Sequence, residues 1–239
     1  MNILCIGNSF SQDASRYLHQ IARADGVELT VINLYIGGCS LEHHFRNMMG
    51  DAPKYEFSIN GYSTGFFVSI KEALLSRQWD IVTMQQVSHK SVDYATFQPF
   101  LNELSAYVRK YAPTAKQYLH QTWAYQPDCE RMTVTLGYPT HEDMYLAIRK
   151  AYEEAAASIS ADFVIPSGAL MDLLLKRGIE RIHRDPIHAS LGTGRYALGL
   201  LWYKALTGNS VIGNPFRDFD ESLSDREIEL IQSCVTEIL

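Results

Sequence analysis

Four apolar residues, Ile3-Leu4-Cys5-Ile6, run straight into Gly7-Asn8-Ser9-Phe10-Ser11, and helical spacing follows. A short apolar run, a glycine-led turn and a helix start make up the strand–turn–helix unit of an α/β sheet. A hydroxyl residue on such a turn projects from the carboxyl edge of the sheet, beside helix N–H groups that favour negative charge. Ser9 is thereby placed as a nucleophile. A serine hydroxyl is weak until a base takes its proton. Asp185-Pro186-Ile187-His188 puts a carboxylate three residues before an imidazole, in a loop that Pro186, Gly192 and Gly194 keep irregular. One loop then delivers both base and orienter.

Between these ends the hydrophobic period alternates. Residues 14–24 carry Ala14, Tyr17, Leu18, Ile21 and Ala22 on one helical face, and Gly26 ends that helix. Apolar strand runs fall at 27–35, 79–84, 117–122 and 161–166, in addition to the first. Helical spacing fills 68–76, 97–111, 141–160, 167–177 and 196–206, and an amphipathic tail starts at Ser224. Five strands alternating with helices predict an α/β fold, a three-layer α/β/α sandwich with a mostly parallel five-stranded, flavodoxin-like sheet. At 239 residues the chain suits one domain, 1–239. Residues 51–67 interleave Pro53, Asn60, Gly61 and Gly65 with Tyr55, Phe57, Tyr62, Phe66 and Phe67. They are expected to form an insertion that walls a pocket.

The two end blocks, Gly7-Asn8-Ser9-Phe10-Ser11 and Asp185-x-x-His188, resemble the first and last signature blocks of the SGNH (GDSL) hydrolases. In detail the chain is similar to a bacterial branch that opens with the same Gly-Asn-Ser-Phe-Ser and carries no assigned activity. Asn8 stands where the larger family has Asp. The resemblance implies a Ser9–His188–Asp185 triad and an oxyanion hole made by the N–H groups of Ser9 and Gly38, the latter in the Gly37-Gly38 turn after the second strand. The family's third block supplies an Asn side chain, and no Gly-x-Asn-Asp is present here. Gln85 or Gln86 could donate an amide hydrogen instead, with Gln86 favoured, and Ser88 and His89 fall near the expected position. Asn8, Gln85, His89 and Trp123 are candidate pocket residues.

The implied reaction is hydrolysis of a carboxylic ester through a covalent acyl-enzyme, with no metal or organic cofactor. A carbohydrate O-acetyl ester is one substrate the resemblance allows. An acyltransferase on the same triad and a catalytically silent carbohydrate-binding module are the alternatives. Composition narrows the partners. A net charge of −6 without a Lys/Arg cluster argues against nucleic acid and anionic membranes. His183 near His188 lacks further ligands at metal spacing. Cys5, Cys39, Cys129 and Cys234 form no C-x-x-C pair and read as free thiols. The first strand starts too early for a signal peptide, so the chain as written reads as cytoplasmic, or as secreted if a leader has been removed.

Overall fold

The first apolar run becomes β1 (Asn2–Gly7), buried along almost its whole length, as befits a strand covered on both faces. In the computed structural model, which describes all 239 residues, β1 pairs in parallel with β2 (Thr30–Tyr35) on one side and β5 (Ile81–Met84) on the other. β6 (Lys116–His120) and β7 (Phe163–Ile165) continue the parallel sheet beyond β5. Outside β2 lies an antiparallel hairpin of β3 (Tyr55–Ile59) and β4 (Tyr62–Val68). The order is β4-β3-β2-β1-β5-β6-β7. The chain leaves β1 toward β2 and later returns to lay β5 against the opposite side. That reversal opens a crevice at the carboxyl edge, where parallel α/β sheets bind ligands.

Strand alternation divides the core. Ile3, Cys5 and Val31 face a layer made by α1 (Ser9–Ser15), α2 (Leu18–Ala24), α7 (Ser167–Lys176), α8 (Thr193–Thr207) and α9 (Asp225–Ile238). Leu4, Ile6, Ile32 and Leu34 face α3 (Leu41–Met49), α4 (Ile70–Leu75), α5 (Phe100–Tyr111) and α6 (His141–Ile159). The three layers agree with the sequence expectation. No helix is long and apolar enough to cross a membrane.

The sheet has seven strands rather than five, and both additions come from the segment expected to be a pocket-walling insertion. Asn60 and Gly61 adopt φ of 53° and 87°, the left-handed pair of a two-residue hairpin turn. The Asn60 side chain accepts from Val31 N–H, and its own N–H donates to the Val31 carbonyl, which fixes the hairpin to β2. None of its residues lines the cavity at Ser9. The single helix expected over 14–24 is two. Arg16 N–H bonds the carbonyl of Asp13, three residues back, and tightens the end of α1. Tyr17 then anchors the break, its hydroxyl donating to the Leu191 carbonyl and accepting from Asp220 N–H. The helix α3 was not foreseen, although Ser40 caps it by accepting from His43 N–H.

Two buried histidines make the fold acid-sensitive. Burial lowers the pKa of His44 and of His120 to about 3. Each is neutral in the folded state, whereas the unfolded chain takes up a proton near the ordinary histidine value of 6.5. Between those values the unfolded state binds more protons, so stability falls as pH falls, by up to about 1.4 kcal/mol per pH unit per histidine. The urea midpoint should therefore drop between pH 7 and pH 5, a window above the carboxylate range. An unchanged midpoint would contradict the burial of neutral imidazoles.

Candidate active site

The turn after β1 is built by exclusion and by one amide. A Cβ on Gly7 would lie 2.3 Å from Ser11 Oγ, so only glycine lets the chain turn directly into α1. Asn8, which is buried, caps that helix, its Oδ1 accepting from Phe10 N–H at 3.0 Å. Its Nδ2 donates to the Cys39 carbonyl at 3.0 Å. One side chain thus holds the turn carrying Ser9 against the turn carrying Gly38. Gly38 sits at φ 64°, a conformation that disfavours any other residue, and its N–H has no partner within the protein. Ser9 occupies the first helical position, where the N–H is left without an intrahelical acceptor. An aspartate at position 8 could not donate to Cys39, which accounts for the amide there.

His188 Nε2 lies 2.9 Å from Ser9 Oγ, and His188 Nδ1 lies 2.8 Å from Asp185 Oδ2. The other Asp185 oxygen accepts from Ile187 N–H at 2.9 Å and His188 N–H at 2.8 Å. Partial burial alone would raise the Asp185 pKa, but these two N–H groups and the imidazole hold it below the usual carboxylate value. The carboxylate is therefore available to fix the Nδ1–H tautomer and leave Nε2 facing the serine. The loop itself is pinned. Arg184 N–H bonds the His188 carbonyl, Trp123 Nε1 donates to the Ile187 carbonyl at 3.0 Å, and Gln126 N–H bonds the Pro186 carbonyl.

A buried ion network joins this loop to the nucleophile helix. Asp13, four residues after Ser9 on α1, has a fully buried side chain. One Arg184 nitrogen contacts both of its oxygens at 2.9 Å, and Arg195 Nε contacts one at 2.9 Å. Arg184 also bonds the Ala189 carbonyl, and Arg195 reaches Asp220, which holds Arg16 in turn. Neither Asp13 nor Arg184 stood out in the sequence. The aspartate one helical turn after the serine is the signal that was there to read.

The third strand end differs from the expectation. Gln86 is buried, its amide nitrogen donating to the Thr96 carbonyl at 2.8 Å and to Thr96 Oγ1 at 3.3 Å. Its oxygen accepts from Leu41 and Val87 N–H groups. The favoured side-chain donor is thus occupied holding the loop after β5 to the start of α3. Gln85 is also internal, bridging Asn8 Oδ1 at 2.7 Å and His120 Nδ1 at 2.8 Å. Trp123 is fully buried and stacks on Phe10, ring centroids 3.9 Å apart, beneath the site rather than in its wall. Asn8 and His89 do border the cavity, of about 190 Å³, that opens on Ser9, together with Gly38, Ser88, Arg131 and Ile187. Ser88 Oγ pairs with the Tyr125 hydroxyl at 3.0 Å. No group of three or more potential metal-ligating side chains is assembled anywhere in the chain.

Fold and site together define an α/β protein with a mostly parallel sheet and a serine, an imidazole and a carboxylate in hydrogen-bonded series at its carboxyl edge. The chain belongs to the family described as "Domain of unknown function (DUF4886)", which matches residues 2–237. It is similar to the crystal structure of a DUF4886 protein from Bacteroides uniformis at 31% identity, covering 99% of this chain and 93% of that one, with a TM-score of 0.91. A candidate SGNH hydrolase from Slackia heliotrinireducens matches at 24% identity over 86% of this chain and 98% of that one, TM-score 0.62. A candidate GDSL-like lipase from Parabacteroides merdae matches at 15% identity over 87% and 95%, TM-score 0.58. The last two show the fold. No curated protein matches the chain.

The Asn8 bridge gives a direct test. Asn8→Asp removes the donor to Cys39 and leaves a buried carbonyl facing a carboxylate, a loss of about 1–3 kcal/mol. Urea unfolding should detect it. An Asn8→Asp protein as stable as the wild type at pH 7 would show that the two turns are not held by that amide.

Proposed function

We propose that the protein is a serine esterase acting on short acyl esters. The observation that carries this is the continuous series Ser9 Oγ to His188 Nε2 at 2.9 Å and His188 Nδ1 to Asp185 Oδ2 at 2.8 Å, at the mouth of a small cavity. Nucleophile and base at hydrogen-bond distance, with the base oriented by a third group, is the arrangement that activates a serine. Ser9 Oγ attacks the ester carbonyl carbon as His188 Nε2 takes its proton. Asp185 holds the imidazole and stabilises the imidazolium. His188 then returns the proton to the departing alkoxide oxygen, which leaves as the alcohol. Water attacks the acyl-Ser9 carbonyl with His188 again as base, releasing the carboxylic acid and restoring the hydroxyl.

The negative oxygen of each tetrahedral intermediate is met by the N–H groups of Ser9 and Gly38. With Gln86 occupied elsewhere, Ser88 is the side-chain donor at the end of β5: it lines the cavity, and in its hydrogen bond with the Tyr125 hydroxyl either group can donate, so Tyr125 donating frees the Ser88 proton to turn inward. The size of the cavity supports a short acyl group, since about 190 Å³ lies below the roughly 300–1,000 Å³ of pockets for larger ligands. An acetyl ester of a carbohydrate is the substrate class this favours. Acyl transfer to a hydroxyl other than water uses the same steps and differs only in the acceptor.

p-Nitrophenyl acetate should be turned over faster than the dodecanoate, and Ser9→Ala and His188→Ala should each lower kcat by roughly 10⁴-fold or more. Ser88→Ala should lower kcat by about 10²-fold with little change in KM, the behaviour of a lost oxyanion donor. Turnover of every chain length that is indifferent to Ser9→Ala would overturn the esterase reading. A kcat for Ser88→Ala equal to wild type would remove Ser88 from the oxyanion hole.

A further inference from the structure

Arg131 stands at the boundary between two spaces. It lines the cavity at Ser9, and it lines a neighbouring groove of about 440 Å³ walled by Cys129, Glu130, Asp185, Pro186 and Ile187. Ile187 also borders both, so the two lie side by side next to His188. In the mechanism proposed above, His188 must reach the leaving oxygen to protonate it. The alcohol half of the ester therefore lies on the His188 side, and the groove beyond Ile187 is the space that receives it.

The guanidinium there is unneutralised. Arg131 makes no ion pair, whereas Arg184 and Arg195 both pair with Asp13, and Arg184 Nε also lies 4.0 Å from Asp185 Oδ2. Asp185, the carboxylate shared with the groove, is engaged by His188 and two N–H groups. Glu130 is exposed and forms no ion pair with its neighbour. Arg131 is exposed and lies beside an aromatic ring. Its guanidinium carbon lies 5.8 Å from the centroid of the Tyr125 ring, and that buried tyrosine is tied to Ser88. The single π turn that carries it, Arg131–Thr135, is anchored by buried Met132. Burial, and then Arg131 and Lys90, lower the pKa of His89, which also borders the cavity. An accessible, unpaired, planar cation beside the leaving-group side of an ester site is a recognition element for an anionic oxygen group.

We propose that Arg131 is the specificity residue of this site and binds an anionic group, a carboxylate, sulfate or phosphate, on the alcohol half of the ester. The substrates are then short acyl esters of acidic hydroxy compounds, O-acetylated acidic sugars among them. This rests on the esterase reading, and one set of substrates separates the two. Purified protein is given 3-acetoxybenzoate, its neutral methyl ester, 3-acetoxyphenyl sulfate and 3-acetoxyphenyl phosphate. The wild type should prefer the anionic esters over the methyl ester by about tenfold in kcat/KM at low salt, with the preference shrinking as salt rises. Arg131→Gln should abolish that ratio, Arg131→Lys should keep part of it, and Arg131→Glu should invert it.

Among the anions, the larger ratio identifies carboxylate, sulfate or phosphate as the group recognised. Binding to the Ser9→Ala protein by calorimetry supplies a readout that needs no turnover: 3-acetoxybenzoate should bind more tightly than its methyl ester, and the added Arg131→Gln change should erase the difference. Ser9-dependent turnover of all esters at equal rates, or equal calorimetric affinities, would overturn the role of Arg131 and leave the esterase standing. Absence of turnover with the charge-dependent binding intact would overturn the esterase and leave Arg131 as an anion-binding group.

Discussion

The arrangement at Ser9 depends on the buried carboxylate of Asp13. Removing a charge from water is costly unless partners replace its hydration. Here Arg184 and Arg195 do so, at 2.9 Å each. These contacts also connect parts of the chain that are far apart in sequence. Asp13 rides on the helix that begins at Ser9, and Arg184 directly precedes Asp185. The carboxylate can be satisfied only when the closing loop is seated on α1, so the electrostatic requirement of one residue sets the approach of imidazole to hydroxyl. Losing either arginine would leave the interior carboxylate with one cationic partner in place of two, so this link tolerates little change.

A second link works at right angles to the first. Asn8 spans from the helix start to the Cys39 carbonyl and places the Ser9 and Gly38 turns side by side. Gln85 and His120 brace Asn8 from the ends of β5 and β6. The strand registers make this possible: Gly7 lies opposite Tyr35, and Ile6 opposite Met84, so the turns after β1, β2 and β5 start level with one another. Asn8, Gln85 and His120 are buried and hydrogen-bonded in series, which explains why an amide pair at a strand end need not face the ligand. Val87, Ser88 and His89, just beyond the amide pair, line the cavity instead.

Much of this was legible because local chemistry and global topology coincide. The apolar run before Gly7 and the Asp185-x-x-His188 spacing are short-range features, and a parallel sheet has one edge at which such turns can meet. Aromatic residues crowding Asn60-Gly61 point in the sequence to a pocket-walling insertion, while the turn itself is a two-residue hairpin signal. Gln86 was misassigned for a different reason. Sequence gives the position of an amide but not its partners, and Thr96 lies ten residues on, in a loop whose path is set by tertiary packing. The pairing of Asp13 with Arg184 escapes the sequence for the same cause, since it spans 171 residues. The π turn that presents Arg131 has no periodicity to betray it.

The central claim is that Ser9 is an activated nucleophile because His188, oriented by Asp185, takes its proton. The most direct measurement is the intact mass and peptide map of the protein after exposure to a fluorophosphonate, run beside His188→Ala and Asp185→Asn. A single adduct on the peptide containing Ser9, formed quickly in the wild type, slowly in Asp185→Asn and not measurably in His188→Ala, is the predicted result. An unmodified Ser9, or one modified at the same rate in all three proteins, would contradict the account.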